Sequence, residues 1–398
     1  MDHTNLKIIA DQNIPCARAA FGGLGTVTTR PGHQIGPADV RTADVLLVRS
    51  VTSVTPTLLE GSSVRFVGSA TIGTDHVNRD FLEAEGIAFA HAPGANADSV
   101  ADYVVAALLV LARRTQVRLS DRTVGIVGCG NIGGRLARRL PALGLEVLRN
   151  DPPRAEAEGP SHDFVSLDTV LQRADILTLH VPLTVEGPHP THQLIGTEEV
   201  QRLRDGAWLL NTSRGAVVDP EPLQTAVAEG RLGRLVLDVW PNEPTPAPGL
   251  IEAADLATPH IAGYAYDGKV RGTRMLYEAL CDHLGVEPTW TPQAALAPDS
   301  PDALRCVPPD PRLPTVDALH RLAQQAYDIT ADDARLRSLL DVPPEARGDA
   351  FRRLRKTYSR RREFQQYRLP RSAVPEALRS AVADGLTMQL TSRGAYDR

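Results

Sequence analysis

"IVGCGNIGGRL", residues 126–136, sets Gly128, Gly130 and Gly133 at GxGxxG spacing. The run leading into it, "TVGIVG" (123–128), reads as a strand, and the residues after it read as a helix. That context makes the stretch a dinucleotide cradle. The first glycine permits a tight turn, the second lets a pyrophosphate approach the backbone, and the third lets the helix pack on the strand. The helix N-terminus then offers unpaired N–H groups and partial positive charge to the phosphates. An acid is expected at the end of the next strand, about twenty residues on, and Asp151 closes "LEVLRND" (145–151). A carboxylate there accepts from a ribose diol and repels a 2′-phosphate, which favours NAD over NADP. Arg154, three residues on, leaves NADP use open. The competing reading, a plain strand–helix turn beside an unrelated aspartate, requires both context and acid to be coincidental.

Working outward, an alternating series continues through "ADILTLHVPL" (174–183), "AWLLNTSRG" (207–215) and "RLVLDVW" (234–240). In "DPEPLQTAVAEG", Asp219 suits an N-cap, Pro220 the first helical position and Gly230 the stop. A second series precedes the cradle, with strands expected in "LKIIAD", "TVTTRP", "VLLVRS", "VRFVGSA" and "IAFAHAP". Short apolar strands joined by helices imply a parallel sheet covered on both faces. Between the series, "NADSVADYVVAALLVLAR" is apolar all round and reads as a buried helix at a domain junction, with Asn96 or Asp98 as its cap. After about residue 288 a proline-rich stretch reads as a linker. A helix with Leu319, Leu322, Ala323 and Ala326 on one face follows, then a basic run, Arg352 to Arg362, whose usual reading is a solvated helix face. The expected fold class is α/β: two doubly wound parallel-sheet domains plus a small α+β C-terminal domain.

The bulk properties narrow the function. With 398 residues, 42% hydrophobic and 23% charged, the chain reads as an ordinary globular protein of two or three domains. A net charge of −5 and the lack of a recognised module disfavour nucleic acid, so the basic run is not taken as a nucleic-acid site. Cys16, Cys129, Cys281 and Cys306 are scattered, which fits neither a disulfide framework nor a metal site and suits a reducing compartment. No secretion signal or membrane span is expected, and a cytoplasmic location is the default.

Three residues suggest a reaction. Arg214 in "NTSRGAVVD", Glu243 in "LDVWPNEP" and His260 in "TPHIAGY" all lie just past expected strands or in the loops after them. In a parallel α/β sheet such positions gather in the crevice where ligands bind. The trio suits oxidation of an alcohol beside a carboxylate. His260 is the base for the hydroxyl proton, Glu243 fixes its tautomer and Arg214 clamps the substrate carboxylate in bidentate fashion. Taken singly, each also fits a structural role: an arginine on nearby carbonyls, an exposed glutamate, a satisfied core histidine.

At these residues the chain resembles the D-isomer-specific 2-hydroxyacid dehydrogenases, through "GCGNIG", "NTSRGAVVD", "DVWPNEP" and "TPHIAGY" over roughly residues 5 to 288. The resemblance implies a flavodoxin-like substrate domain (1–95 and 264–288) and, inserted in it, a Rossmann NAD domain (96–263). It carries catalytic roles onto Arg214, Glu243 and His260, and NAD contacts onto Gly128, Gly130, Asn131, Ile132, Gly133, Asp151, Val181, Asp238 and Gly263. A narrower likeness, through "FVGSATIGTDHV", "HIAGYAYDGKVRGT" and "FRRLRKTYSRRREF", is to the members of that family acting on 4-phospho-D-erythronate. It implies a small phosphorylated 2-hydroxy acid as substrate, contacts from Ser50, Thr71 and Tyr264, and a homodimer formed through residues 289–398. Asn78 stands where an aspartate is expected, and Thr212-Ser213 where that group often has Ala-Cys. Still open at this point are another 2-hydroxyacid dehydrogenase, of 3-phosphoglycerate or glyoxylate type, and a binding protein that senses NAD without turnover.

Overall fold

The computed structural model describes residues 5–159, 163–300 and 302–392. It divides into two compact units. One comprises residues 1–96 with 265–299, the other 97–264 with 300–398.

The first unit holds a parallel sheet of β1 (Leu6–Asp11), β2 (Gly25–Arg30), β3 (Val45–Val48), β4 (Phe66–Ser69) and β5 (Ala88–His91). Their order is β2-β1-β3-β4-β5, the flavodoxin-like arrangement. Burial follows position. The central β3 and β4 are buried at every residue, whereas the edge strand β2 alternates between half-buried and exposed. Helix Tyr266–Leu284 returns to this unit and packs Leu276, Tyr277 and Leu280 with Ile8, Phe21 and Leu47. Asn78 caps helix Arg79–Ala84, its Oδ1 accepting from the Phe81 amide at 3.0 Å. An aspartate would cap equally well, so the departure at 78 leaves the local structure intact.

The second unit is built on β6 (Thr123–Val127), β7 (Glu146–Asn150), β8 (Ile176–Leu179), β9 (Ala207–Asn211), β10 (Leu232–Leu237) and β11 (Leu256–Ala257). All pair parallel, in the order β11-β10-β9-β8-β6-β7. The direction of winding reverses at β6, which lies between β7 and β8, so the glycine turn opens at the switch point of the sheet. The two-residue edge strand β11 is too short to announce itself in sequence. Asp219 caps helix Pro220–Ala228 as its sequence suggests, accepting from the Glu221 amide at 3.1 Å, and Gly230 takes φ +71° just beyond the end.

Helix Ala97–Thr115 is buried nearly throughout, but neither expected residue caps it. The Asn96 Oδ1 has no hydrogen-bond partner, and Asp98 lies inside the first turn with its carboxylate on Arg135 at 2.7 Å. Leu319, Leu322, Ala323 and Ala326 are buried, and helix Thr315–Ala326 shares a core with helix Ala97–Thr115. Residues 300–398 therefore group with the second unit in a single chain, because their helices and the parallel pair β12 (Arg368–Pro370) and β13 (Gln389–Thr391) feed its core.

The basic run departs from the solvated-face reading only at its end. Helix Pro344–Lys356 does expose Arg352, Arg353 and Lys356. Beyond it the chain turns inward, and Arg361 and Arg362 are buried at 6% and 7% exposure. Among the described residues no helix is long and apolar enough to cross a membrane, and no group of His, Cys, Asp or Glu is arranged to hold a metal ion.

Candidate active site

The cradle is built by three glycines that do different jobs. Gly128 follows β6 at φ +86°, and a Cβ there would meet the His180 carbonyl oxygen at 2.7 Å and Val181 Cγ1 at 2.9 Å. The turn after β6 and the one after β8 thus touch through backbone. Gly133 sits on the first turn of helix Asn131–Arg139, where a Cβ would stand 2.0 Å from the Gly128 oxygen. Gly130 is different. It is exposed, and nothing lies within 4 Å of a Cβ placed on it. Two glycines press the turn against the protein while the middle one leaves its outer side open, as a pyrophosphate over a helix N-terminus requires. Asn131 and Ile132 begin that helix on the open side, exposed and half-buried.

Asp151 directly follows β7 and is half-buried. Its Oδ2 accepts from the Cys129 amide at 2.8 Å and its Oδ1 from the Arg154 amide at 3.2 Å, capping helix Pro152–Glu158. The carboxylate therefore also staples the glycine turn to the following helix. Arg154 donates to Glu158 at 2.7 Å and to the Cys129 carbonyl at 2.5 Å. Its charge is already matched by Glu158, which weakens the case for it as a 2′-phosphate ligand. The donor set and the open backbone fit a dinucleotide.

His260, Glu243 and Asp238 form one construction. His260 Nδ1 lies 2.8 Å from Glu243 Oε2. Glu243 Oε1 accepts from the Trp240 amide at 3.1 Å, so the acid is held by its own loop. The Trp240 indole N–H donates to the Thr258 carbonyl at 3.0 Å, tying that loop to the histidine loop. Asp238, at the end of β10 and buried, accepts from Thr258 Oγ1 (2.7 Å), the Ile261 amide (2.7 Å) and the Ala262 amide (2.9 Å). The tertiary structure thus shows Asp238 as a strut for the histidine loop, a role its sequence position did not suggest.

Burial by itself raises the Glu243 carboxyl. The charge and hydrogen bond of His260, with Arg355 beyond, outweigh it and hold the acid below the usual carboxylate range. Such a depressed acid contributes stability above the unfolded carboxylate pKa, and that contribution is lost as pH falls through the folded value. Wild type is therefore expected to be more stable than Glu243→Gln near pH 7, with the gap closing below about pH 4. Thermal melts of both proteins across that range check it, and a gap that is constant with pH contradicts it.

Arg214 follows β9, half-buried. Asn211 Nδ2 donates to its carbonyl at 2.9 Å, and Arg214 donates to the Ser213 carbonyl at 2.8 Å. A Cβ on Gly215 would lie 2.0 Å from the Trp240 carbonyl carbon, so the arginine loop and the Glu243 loop meet backbone to backbone. Arg214, Glu243 and His260 thus arise from adjoining loops at one end of the sheet. Thr212 Oγ1 lies 3.3 Å from His180 Nδ1, joining the arginine loop to the loop that carries Val181. Gly263 and Tyr264 continue the histidine loop. The Tyr264 ring packs edge-on to Tyr358 at 5.8 Å, under the Arg355 guanidinium at 5.4 Å.

In the first unit, Ser50 is exposed in the turn after β3, and Thr71 lies in the turn after β4. Thr71 Oγ1 is 2.7 Å from Ser69 Oγ and donates to the Gly73 carbonyl at 2.9 Å. Ser69 Oγ is also 2.9 Å from His76 Nε2, a residue the sequence reading passed over inside "SATIGTDHV".

The family model described as "D-isomer specific 2-hydroxyacid dehydrogenase, NAD binding domain" matches residues 100–262. One described as a domain of unknown function matches residues 311–382. An erythronate-4-phosphate dehydrogenase of Salinibacter ruber is 63% identical over 390 residues, covering 97% of this chain and all of the relative. One of Escherichia coli is 46% identical, covering 90% of this chain and 92% of the relative. Among solved structures, the TT0316 protein of Thermus thermophilus superposes with a TM-score of 0.61 at 28% identity, over 71% of this chain and 98% of that one. D-lactate dehydrogenase of Aquifex aeolicus, complexed with NAD and lactic acid, gives 0.59 at 25% identity, over 70% and 96%. With its glycine cradle, its histidine–glutamate pair and near-complete coverage at high identity, the chain belongs to the erythronate-4-phosphate dehydrogenase family of NAD-dependent D-2-hydroxyacid dehydrogenases.

Proposed function

We propose that the chain oxidises 4-phospho-D-erythronate at C2 to (R)-3-hydroxy-2-oxo-4-phosphooxybutanoate, a step toward pyridoxal 5′-phosphate. The observation that carries this reading is the 2.8 Å pair of His260 and Glu243, set on the sheet that bears the glycine cradle in a chain 63% identical to an erythronate-4-phosphate dehydrogenase.

NAD supplies the hydride acceptor when bound, and Gly128, Gly130, Asn131, Ile132, Gly133, Asp151, Val181, Asp238 and Gly263 are the residues proposed to hold it. Arg214 grips the substrate carboxylate and orients the neighbouring carbinol. His260 Nε2 takes the C2 hydroxyl proton, since Nδ1 is committed to Glu243. The Glu243 carboxylate, ionised by its surroundings, keeps the imidazole in that tautomer and stabilises the imidazolium that forms. Ser50, Thr71 and Tyr264 are proposed substrate contacts. Residues 1–95 with 264–288 form the proposed substrate domain and 96–263 the NAD domain. Residues 289–398 are the proposed dimerisation domain of a homodimer, and the cytoplasm is the proposed compartment, in keeping with four free cysteines.

The test is a substrate panel on the purified protein with NAD. 4-Phospho-D-erythronate should be turned over far faster than D-erythronate, 3-phosphoglycerate or glycolate. Equal turnover of the unphosphorylated acids would assign a broader 2-hydroxyacid dehydrogenase. No turnover of any acid, with NAD bound, would assign a sensor.

A further inference from the structure

The histidine loop is under local strain. His260 adopts φ +57°, in the left-handed region that L side chains disfavour. A conformation of that kind persists only where its surroundings over-determine it. One side of the loop is fixed by Asp238, which takes the amides of Ile261 and Ala262. Their carbonyls are gripped from the other side by a single cation. Arg361 Nη2 donates to the Ile261 carbonyl at 3.4 Å, to the Ala262 carbonyl in a short hydrogen bond, and to Ser99 Oγ at 2.7 Å. Ser99 Oγ in turn donates to the Ala262 carbonyl at 2.9 Å.

Arg361 is itself rigidly seated. Its guanidinium lies over the Tyr327 ring at 4.1 Å and beside the Tyr358 ring at 5.9 Å. The Tyr358 hydroxyl is anchored on Asp332 at 2.7 Å. Among the described residues no carboxylate forms an ion pair with Arg361 directly; Asp332 and Asp102 act on its charge from farther off, and the buried guanidinium lies against carbonyl dipoles and aromatic faces. That is an expensive way to fill space. An apolar side chain would pack there at lower cost, but it would leave the two carbonyls after His260 without their cationic donor.

We infer that Arg361 is a positioning residue for the reaction: by clamping the Ile261 and Ala262 carbonyls it holds His260 in its left-handed conformation and on Glu243. This rests on His260 being the base. The C-terminal segment that carries Arg361 is thereby wired to the catalytic step.

The experiment compares Arg361→Lys, Arg361→Ala, Ser99→Ala and His260→Ala with wild type as full-length protein. Lysine keeps the charge over the tyrosine rings but lacks the planar fork that reaches two carbonyls and a hydroxyl. Arg361→Lys should lose about ten- to a hundred-fold in kcat, the scale set by sub-ångström misplacement of a catalytic group, with KM for both ligands unchanged. Free guanidinium at millimolar concentration should restore part of the kcat of Arg361→Ala. In the ligand-free proteins, hydrogen exchange over residues 258–264 should quicken in Arg361→Lys. Wild-type kcat in Arg361→Lys overturns the inference, as does a loss shared equally between kcat and both KM values without guanidinium rescue. If Arg361→Ala does not fold, Arg361→Lys and Ser99→Ala still decide, the latter by a smaller fall in kcat. Full turnover in His260→Ala would instead remove the base assignment on which the inference stands.

Discussion

His260→Ala loses about a thousand-fold or more in kcat and keeps its affinity for NAD, as befits removal of a positioned general base. Stopped-flow measurement of NADH formation under single-turnover conditions reads the first, and titration of protein fluorescence with NADH the second. The split is expected because the imidazole and the cradle do separate jobs. The His260 ring is held by Glu243 and lies on the loop strutted by Asp238, whereas the glycine turn is built from β6, β7 and β8. The alanine variant should keep that loop, because the Asp238 and Arg361 contacts run to the backbone of residues 261 and 262 and not to the ring. Undiminished single-turnover rate would refute the acid–base role. A loss of NADH binding in step with turnover would recast His260 as a cofactor contact.

Gly133→Ala is the converse experiment. The added carbon would stand 2.0 Å from the Gly128 carbonyl oxygen and 2.9 Å from Ile126 Cγ2, and the first of these is backbone that cannot swing aside. Helix Asn131–Arg139 must then lift off β6, costing more than about 2 kcal/mol of the unit's stability. The lift also carries the helix N-terminus away from the phosphates. NADH affinity should fall at least about a hundred-fold if two or three backbone hydrogen bonds to phosphate are lost. Gly130→Ala is the control, since a Cβ there meets nothing within 4 Å of protein. It should leave the ligand-free fold as stable as wild type and weaken NADH alone. Thermal melting with and without NADH distinguishes the two. Unchanged NADH affinity in Gly133→Ala would mean that this turn is not the dinucleotide cradle.

Much of the site was legible in residue order because its parts obey local rules. A glycine that needs positive φ, a helix that must pack on its strand and an acid that closes the next strand fall within about thirty residues of one another. Arg214, Glu243 and His260 stand in or after strand-end loops, and a parallel sheet collects such loops at one end. What escaped the reading was side-chain commitment. Asp238 is an NAD contact by resemblance, and only the structure adds that its oxygens also accept from Thr258, Ile261 and Ala262 and so strut the histidine loop. Asn96 has the look of a cap and makes none. The basic run reads as solvated because arginine usually is, and nothing local distinguishes Arg361 from the exposed Arg352 nine residues earlier.

Residue order alone determined the two parallel sheets, the place of the cradle at the head of the second series and the strand-end positions of Arg214, Glu243 and His260, since backbone propensity and hydrophobic period act over short spans. Tertiary structure alone decided which charges go inside. Arg361 meets Ser99 across 262 residues of chain and Ala262 across 99. Whether a buried guanidinium is tolerable depends on carbonyls and aromatic rings brought to it from such distances, and no stretch of sequence around it carries that information.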